Sequence, residues 1–367
     1  MNSSTSENLS FVWLEITGRC QLKCLHCYAE SGPAGTHGVM RHEDWRRVID
    51  QVAELGSTMV QFIGGEPTLH PHLPDLIAHA HRSELAVEVF TNLTHVTPRL
   101  WTAFAENEVS LACSYYSDDP LQHAAITGRT GSYARTRANI IEALSRSIPL
   151  RVGVTEIDEA QRVDEVFSEL RRLGVTAVGY DRLRQVGRGV RDQAAAVDQL
   201  CGHCANEVLA ISPDGEVWPC VFSRWLPVGN VLSTPLEKIL AGTTIARVRA
   251  DLRASFSANA HRSSCNPTRT GGGQNCGPTP CGPETRSGPL AYRPAHHRSY
   301  EGAHGPSNPG EAHQPQGCGP TECTPTQCTP TQCTPTQCTP AQCTPAQCTP
   351  AECTPTGVHH LRSSRQP

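Results

Sequence analysis

The amino-acid sequence predicts an α/β fold, a partial (β/α)6 barrel with a small cysteine-rich C-terminal extension and a disordered repeat tail. Short apolar segments alternate with longer segments of helical periodicity from Phe11 to about Tyr180. Beyond Arg188 the cysteines cluster, and from Cys318 a cysteine recurs at every fifth residue. Because parallel strands need long crossover connections, the alternation favours a parallel sheet joined by helices.

Six segments have the composition of buried strands. In chain order they are FVWLEIT, TMVQFIG, LAVEVFTN, VSLACSYY, PLRVGVTE and VTAVGYD. Two of the segments between them, HEDWRRVIDQVAELG and SYARTRANIIEALSRS, repeat apolar residues at helical spacing. Barrels of this kind bind ligands at the carboxyl ends of their strands. A doubly wound sheet with glycine-containing loops fits the same periodicity and is the alternative fold.

Charge and composition exclude several classes of partner. The net charge is -4, and lysine occurs only at Lys23 and Lys238, so no basic run indicates a nucleic acid or a membrane surface. The N-terminal segment lacks the features of a signal peptide, and no segment approaches the roughly 20 apolar residues of a membrane span. We therefore expect a cytoplasmic protein that binds neither nucleic acid nor membrane.

The 18 cysteines, without a secretion signal, indicate metal or cluster ligation rather than a disulfide framework. Cys20, Cys24 and Cys27 lie within one segment, CQLKCLHCY, directly after the first predicted strand. Three thiolates so close in sequence can surround one iron–sulfur cube and leave one iron open. A zinc site and unrelated thiols are the alternatives.

A glycine-rich turn, FIGGEPTLHP, ends the second predicted strand. Gly64 and Gly65 permit close approach of the backbone, Glu66 offers an acceptor, and Pro67 stiffens the turn. Taken alone, this segment could be an ordinary turn that terminates a strand.

The CxxxCxxC spacing and the GGEP turn one strand later resemble the radical S-adenosylmethionine (radical SAM) superfamily. The resemblance implies that Cys20, Cys24 and Cys27 hold a [4Fe-4S] cluster whose open iron chelates S-adenosylmethionine. Reductive cleavage of that cofactor would yield a 5'-deoxyadenosyl radical. The family commonly has an aromatic residue after the second or before the third cysteine, whereas here His26 precedes the third cysteine and Tyr28 follows it.

The same resemblance implies residues that contact S-adenosylmethionine, although it assigns no catalytic acid or base. The GGEP backbone would receive the amino group, a TN pair at the third strand end resembles a family motif, and the fourth and fifth strands would contact ribose and adenine. The expected cofactor-binding residues are Gly64, Gly65, Glu66, Pro67, Asn92, Ser114 and Val154. Arg184 and Arg188 are interpreted as solvated surface arginines, with a salt bridge to a carboxylate as the alternative.

The extension predicts a hairpin in EVLAISPDGEVWPC, turning at Asp214 and Gly215. Its Cys-x10-Gly-x4-Cys spacing resembles the opening of the SPASM and twitch extensions of peptide-modifying radical SAM enzymes. This resemblance implies at least one auxiliary iron–sulfur cluster, with a zinc site as the alternative. The candidate ligands are Cys201, Cys204, Cys220, Cys265, Cys276 and Cys281. Cys113, alone in an apolar strand, is interpreted as a small buried hydrophobe.

These features divide the chain into six segments. They are an N-terminal lead (1–10), a radical SAM core (11–190), a SPASM/twitch-like auxiliary cluster module (191–286), a Gly/Pro/His-rich linker (287–317), Cys-Thr-Pro pentapeptide repeats (318–356) and a C-terminal tail (357–367). Regular proline and few large apolar residues give the repeats nothing to pack into a core, so we expect them to be disordered.

The resemblance implies an enzyme that matures a small, ribosomally made peptide and receives electrons from a donor such as flavodoxin or ferredoxin. The short lead before Phe11 leaves no room for a fused peptide-recognition domain, so we expect any such module to be a separate protein. An iron–sulfur or soft-metal-binding electron-transfer protein is the alternative, against which the GGEP turn argues. A third interpretation makes the repeats themselves the peptide substrate.

Truncation after Arg286 tests whether the repeats belong to the catalytic fold. The truncated chain keeps Cys265, Cys276 and Cys281 and loses all eight repeat cysteines. We expect unchanged formation of 5'-deoxyadenosine by the reduced, anaerobically reconstituted protein, because the removed segment lacks core-forming residues. Loss of the cluster bound by Cys20, Cys24 and Cys27 after truncation would contradict this division.

Overall fold

The computed structural model describes residues 9–192 and 195–262, and side chains as far as residue 257. Several predictions fall outside the described residues. They concern most of the lead, Cys265, Cys276, Cys281, the linker (287–317), the repeats (318–356) and the tail (357–367).

Strands and helices alternate along the first part of the chain. The strands are β1 (Phe11–Glu15), β2 (Met59–Ile63), β3 (Ala86–Thr91), β4 (Ser110–Tyr115), β5 (Leu150–Glu156), β6 (Ala177–Arg182), β7 (Val208–Ile211), β8 (Glu216–Trp218) and β9 (Gly229–Asn230). The helices are α1 (His42–Glu54), α2 (Leu73–Arg82), α3 (Pro98–Glu106), α4 (Pro120–Thr127), α5 (Ser132–Ser145), α6 (Val163–Leu173), α7 (Leu236–Leu240) and α8 (Thr243–Arg262). In the described residues, no helix has both the length and the apolar character needed to cross a membrane.

The strands form one sheet in the order β6-β5-β4-β3-β2-β1-β7-β8-β9. β1 to β6 are parallel neighbours in sequence order, which is the arrangement of a partial (β/α)6 barrel. A doubly wound sheet would reverse its order at an internal strand, so that alternative is wrong. All six predicted strands and both predicted helices are confirmed, with small differences at their ends.

The face of the sheet that the helices cover packs into the hydrophobic core. All five residues of β1 are buried, and β1 pairs with β2 on one side and β7 on the other. Helix α1 turns Trp45, Val48, Ile49 and Val52 into the core, a spacing that places them on one helical face.

The cysteine-rich extension joins this sheet. The predicted hairpin is confirmed: β7 and β8 are antiparallel, with Ala210 opposite Trp218, and Gly215 in the turn has a φ of +82°. β7 lies parallel to β1 and continues the core sheet, so the described part of the extension is built onto the core. Pairing with β7 satisfies the backbone groups that a strand at the edge of the sheet would expose.

Candidate functional site

A cavity of about 250 Å³ lies at the carboxyl ends of the parallel strands. Its lining brings together nine of the predicted site residues: Cys20, Cys24, Cys27, Gly64, Gly65, Asn92, Ser114, Val154 and Cys220. Of the other predicted residues that the structure describes, Glu66, Pro67, Cys201 and Cys204 do not line it. Residues from six strand ends and from the extension therefore share one site.

The loop that carries the three cysteines is fixed to helix α4. The backbone amides of Lys23 and Leu25 donate to the carbonyls of Thr127 and Ile126, each with an N···O distance of 3.0 Å. Gly128 follows with a φ of +68°, and a Cβ there would lie 2.7 Å from the Lys23 carbonyl oxygen. The close contact between loop and helix thus requires glycine at this position.

Arg188 holds the other side of the loop. Its Nε donates to the Cys24 carbonyl at 2.9 Å, and its Nη2 donates to the Ser31 carbonyl at 2.7 Å. Arg184 is only 6% exposed and forms an ion pair with Asp181 at 2.8 Å. The interpretation of these two arginines as solvated surface residues is therefore wrong. Carbonyls of the cysteine loop and a carboxylate on β6 hold them in place.

The three thiols of the loop interact electrostatically. Burial, followed by the nearby Glu66 carboxylate, raises the pKa of Cys20 to about 12. Burial raises the pKa of Cys24 as well, and Cys27 and Cys20 add to that shift because neighbouring thiolates repel one another. The buried thiols of Cys20 and Cys24 therefore ionise readily only when a cationic metal compensates their charge, which fits a cluster site.

The spacing of these thiols argues against a single zinc ion. Zn–S bonds of about 2.3 Å place the sulfurs of a tetrahedral site about 3.8 Å apart. Among the described residues, the one group of three candidate ligand atoms within 4.8 Å of one another is His42, His72 and Asp75, so the cysteine sulfurs are more widely spread. Thiolates that bind different irons of one cubane cluster can lie farther apart than the sulfurs that share a single zinc ion.

Gly64 and Gly65 bring the end of β2 against the start of the cysteine loop. The Gly65 amide donates to the Thr17 carbonyl at 2.6 Å. A Cβ at Gly65 would lie 2.4 Å from the Arg19 carbonyl oxygen, and one at Gly64 would lie 2.4 Å from that of Thr17. These glycines are thus required by backbone packing, and they leave their own backbone facing the cavity.

Glu66 is fully buried and joins two strand ends. Its Oε1 accepts from the Thr68 amide at 3.1 Å, the Thr68 hydroxyl at 2.7 Å and the Thr91 hydroxyl at 2.6 Å. Its Oε2 accepts from the Asn92 amide at 2.8 Å. Burial raises the pKa of Glu66, and these four donors oppose the shift. The carboxylate therefore positions neighbouring residues through contacts within the protein.

Asn92 connects this network to the first cysteine. Its Nδ2 lies 3.7 Å from the Cys20 Sγ, to which it donates, and its Oδ1 accepts from Gln21 Nε2 at 3.0 Å. The position of the Cys20 sulfur is thereby coupled to the end of β3, which Glu66 fixes.

Aromatic side chains form much of the remaining wall, a role that the sequence does not predict for them. They are Trp13, Tyr28, Phe90, Tyr116 and Phe222. His26 Nε2 lies 3.2 Å from the Tyr116 hydroxyl, and burial lowers the pKa of His26 to about 4. His26 is therefore uncharged at neutral pH. The one available signal was position, because Tyr116 and Phe222 each follow a predicted site residue by two positions.

The extension places two of its cysteines in direct contact. The Cys204 and Cys220 sulfurs are 2.9 Å apart, and Cys201, Cys204 and Cys220 are each no more than 5% exposed. The pKa of Cys204 is raised because its thiol donates to Cys220 and because it is buried. Two buried thiols in contact fit a metal centre, either the auxiliary cluster or the zinc site of the alternative. Cys113 is fully buried in β4, as its interpretation as a small hydrophobe requires.

Comparisons with known families cover both parts of the described chain. A sequence model of the radical SAM superfamily matches residues 14–159. A second sequence model matches residues 193–267. It is the model of SPASM, an iron–sulfur cluster-binding domain.

Individual relatives match in both sequence and structure. The subtilosin biosynthesis protein AlbA of Bacillus subtilis is 24% identical, over 68% of this chain and 64% of its own length. A PqqA peptide cyclase of Xanthomonas campestris is 30% identical, over 57% of this chain and 66% of its own. The chain thus spans slightly less than two thirds of these relatives.

Solved structures match the fold as well. Streptococcus suis SuiB bound to S-adenosylmethionine superposes with a TM-score of 0.58 at 13% identity, covering 71% of both chains. SuiB bound to its precursor peptide SuiA superposes with a TM-score of 0.56, over 66% of this chain and 67% of the SuiB chain.

Replacing Glu66 by Gln tests the link between the buried carboxylate and the cysteines. The new amide group turns one of four acceptor contacts into a contact between donors, so we expect a loss of about 1–3 kcal/mol in the free energy of unfolding. Because Asn92 would shift, iron bound per chain after anaerobic reconstitution should also fall.

Glu169→Gln is the matched control. Glu169 is another buried carboxylate, and it accepts hydrogen bonds from Tyr115, Tyr133 and Arg137. None of these three donors belongs to the cysteine loop. The Glu169→Gln variant should lose a similar amount of free energy of unfolding and bind as much iron per chain as the unmodified protein. Equal iron contents in the two variants would contradict a positioning role for Glu66.

Proposed function

Because the chain belongs to the radical SAM superfamily and carries a SPASM domain, we propose that it is an enzyme that modifies a ribosomally made peptide by radical chemistry. The observation that carries this proposal is the convergence of Cys20, Cys24 and Cys27 with the GGEP backbone in one cavity. When bound there, a [4Fe-4S] cluster with one open iron supplies the electron that cleaves S-adenosylmethionine to methionine and a 5'-deoxyadenosyl radical.

The residues of this chain hold and orient the bound groups. Cys20, Cys24 and Cys27 are the cluster ligands in this proposal, and Arg188 fixes their loop through two carbonyls. The backbone of Gly64 and Gly65 is the receptor for the methionine portion of the cofactor. Its proposed further contacts are Asn92, Ser114 and Val154, all of which line the cavity.

Glu66 and Pro67 serve the cofactor indirectly in this proposal. The Glu66 carboxylate already accepts four hydrogen bonds from the protein, so it orients Asn92 in place of binding the cofactor itself. Pro67 begins a short 3-10 helix that presents the Thr68 amide to Glu66.

The aromatic walls suit chemistry that must exclude water. A reactive carbon radical abstracts hydrogen from any accessible donor, so a dry and closely fitted site protects the intended reaction. Trp13, Phe90, Tyr28 and Phe222 supply apolar surface, and His26 adds a ring that is uncharged at neutral pH.

We propose that the extension holds an auxiliary iron–sulfur cluster beside this cavity. Cys204 and Cys220 are buried in contact with each other, whereas Cys201 is buried in a disulfide that must be reduced before its thiolate can act as a ligand. Cys265, Cys276 or Cys281 would complete the ligand set. Cys220 also lines the cavity, as do the two residues that follow it. An auxiliary cluster bound there would lie close to a substrate in the cavity, in a position to exchange electrons with it.

The relatives support a peptide as the substrate. One takes part in biosynthesis of the bacteriocin subtilosin, another is a peptide cyclase, and SuiB has been crystallised with its precursor peptide. In this proposal the first cluster is reduced by a flavodoxin- or ferredoxin-like donor. A separate peptide-recognition protein is a further partner in this proposal.

Cys24→Ala tests the cluster assignment. With one of three ligands lost, the anaerobically reconstituted variant should lose the site's share of about four irons. Formation of 5'-deoxyadenosine under reducing conditions should fall to the level seen without enzyme.

Cys113→Ala is the matched control, because it also removes a thiol but at a buried position on β4. It should cost about 1 kcal/mol of stability and leave cofactor cleavage intact. Continued formation of 5'-deoxyadenosine by Cys24→Ala would refute the assignment.

Cys220→Ala separates the auxiliary site from the first cluster. We expect total iron to fall while reductive cleavage of S-adenosylmethionine continues, because Cys20, Cys24 and Cys27 remain. Peptide modification should fall much further than cleavage, which uncouples the two reactions. Iron content equal to that of the unmodified protein, together with bound zinc, would indicate a structural zinc site instead.

A further inference from the structure

Four histidines form a continuous group outside the cavity lining. We call His37, His42, His70 and His72 the histidine patch. The rings of His42 and His72 are stacked with centroids 4.6 Å apart, His70 lies 5.9 Å from His72, and His37 lies 5.0 Å from His70. These four residues do not line the cavity and take no part in the proposed reaction.

The outer end of the patch has the composition of a metal site. His42, His72 and Asp75 each offer a ligand atom, and the three atoms all lie within 4.8 Å of one another. A zinc ion at about 2.0–2.2 Å from nitrogen and oxygen donors needs them about 3.4 Å apart. The rings of His42 and His72 are stacked, so the His72 ring must turn before both rings can point a nitrogen at one ion, and its 46% exposure, with 50% for Asp75, leaves room for these rotations.

The fold supplies these ligands from fixed backbone positions. His42 is the first residue of α1, while His72 directly precedes α2 and Asp75 lies in the first turn of α2. These two helices are neighbours on the same face of the sheet. The three side chains therefore meet where two helices begin, and only their side-chain torsions need to adjust.

A second observation concerns the unsatisfied ring of His42. Its Nε2 is buried and has no hydrogen-bond partner among the described residues. A buried polar nitrogen without a partner costs free energy, and a ligand or ion held at the ring is one way to offset that cost. The Asp75 Oδ1 accepts from Arg99 at 3.2 Å, whereas its Oδ2 faces the His72 Nδ1 at 3.9 Å.

We propose that His42, His72 and Asp75 form a site for a divalent transition-metal ion of the Zn²⁺ type. Two imidazoles and one carboxylate suit zinc and its neighbours, whereas Mg²⁺ and Ca²⁺ prefer oxygen ligands alone. Solvent completes the coordination, since two of the three ligands are exposed. This site is separate from the thiolate sites and does not depend on the proposed reaction.

The test must distinguish imidazole ligation from binding of zinc to the many cysteines. Carbethoxylation of individual histidines, followed by peptide mass spectrometry, reports on each ring regardless of what the thiols bind. The full-length reconstituted protein is treated with and without Zn²⁺ in excess over its thiols. At a free Zn²⁺ concentration ten times the Kd, modification of His42 and His72 should slow about tenfold.

Internal and variant controls decide the outcome. His81 is exposed at the far end of α2 and should react equally with and without Zn²⁺. Asp75→Asn should abolish protection, while Asp50→Asn, which removes another half-exposed carboxylate beside a histidine, should not. Mg²⁺ at the same concentration should protect neither ring.

Three results would overturn the proposal. They are full reactivity of His42 and His72 in excess Zn²⁺, equal protection of His81, and protection that survives in Asp75→Asn. Protection by inorganic phosphate without any by Zn²⁺ would likewise refute it, because it would show that the patch binds anions.

Discussion

The geometry of the cavity depends on a carboxylate that water cannot reach. Glu66 is completely buried, and each of its hydrogen bonds has a donor from the end of β2 or the end of β3. A buried charge is stable only when nearly all its acceptor sites are used, so the surrounding donors are held in a single arrangement. Asn92 is one of them, and through it the constraint reaches the Cys20 sulfur. The contact between the glycine turn and the cysteine loop adds a steric constraint to this electrostatic one.

The extension contributes part of the wall of the site. β7 pairs with β1, and Glu15 at the end of β1 forms a two-pronged ion pair with Arg224 at 2.6 and 3.1 Å. Glu15 is 1% exposed, so removing its partner would leave a buried charge uncompensated. Phe222 lies between these anchors and packs on Tyr28 of the cysteine loop with ring centroids 5.1 Å apart. The part of the chain matched by the cluster-binding family is thus structurally continuous with the core.

The sequence predicts local features of this fold well and long-range contacts poorly. Strand and helix periodicity is a local property, and so is the spacing of Cys20, Cys24 and Cys27, which is why these predictions agree with the described structure. The pairing of β7 with β1 joins residues almost 200 positions apart, and no pattern within either strand encodes it. The burial of Arg184 has both origins, because its guanidinium pairs with the nearby Asp181 but also lies over the ring of Phe222 in the extension, and only the second contact is hidden from local sequence.

The two kinds of proposed metal site differ in ligand chemistry and in burial, and each difference has a consequence. Burial raises the pKa of Cys20, and the hydrogen bond to Cys220 together with burial raises the pKa of Cys204, so charge compensation by a bound metal favours ionisation of these two thiols. The imidazoles of the histidine patch need no such compensation, because a neutral ring is already the ligand form. Soft thiolates also favour iron–sulfur clusters, whereas imidazole with a carboxylate favours a harder divalent ion. One chain can therefore hold both kinds of metal once clusters occupy its thiolate sites, because zinc itself also binds free thiolates.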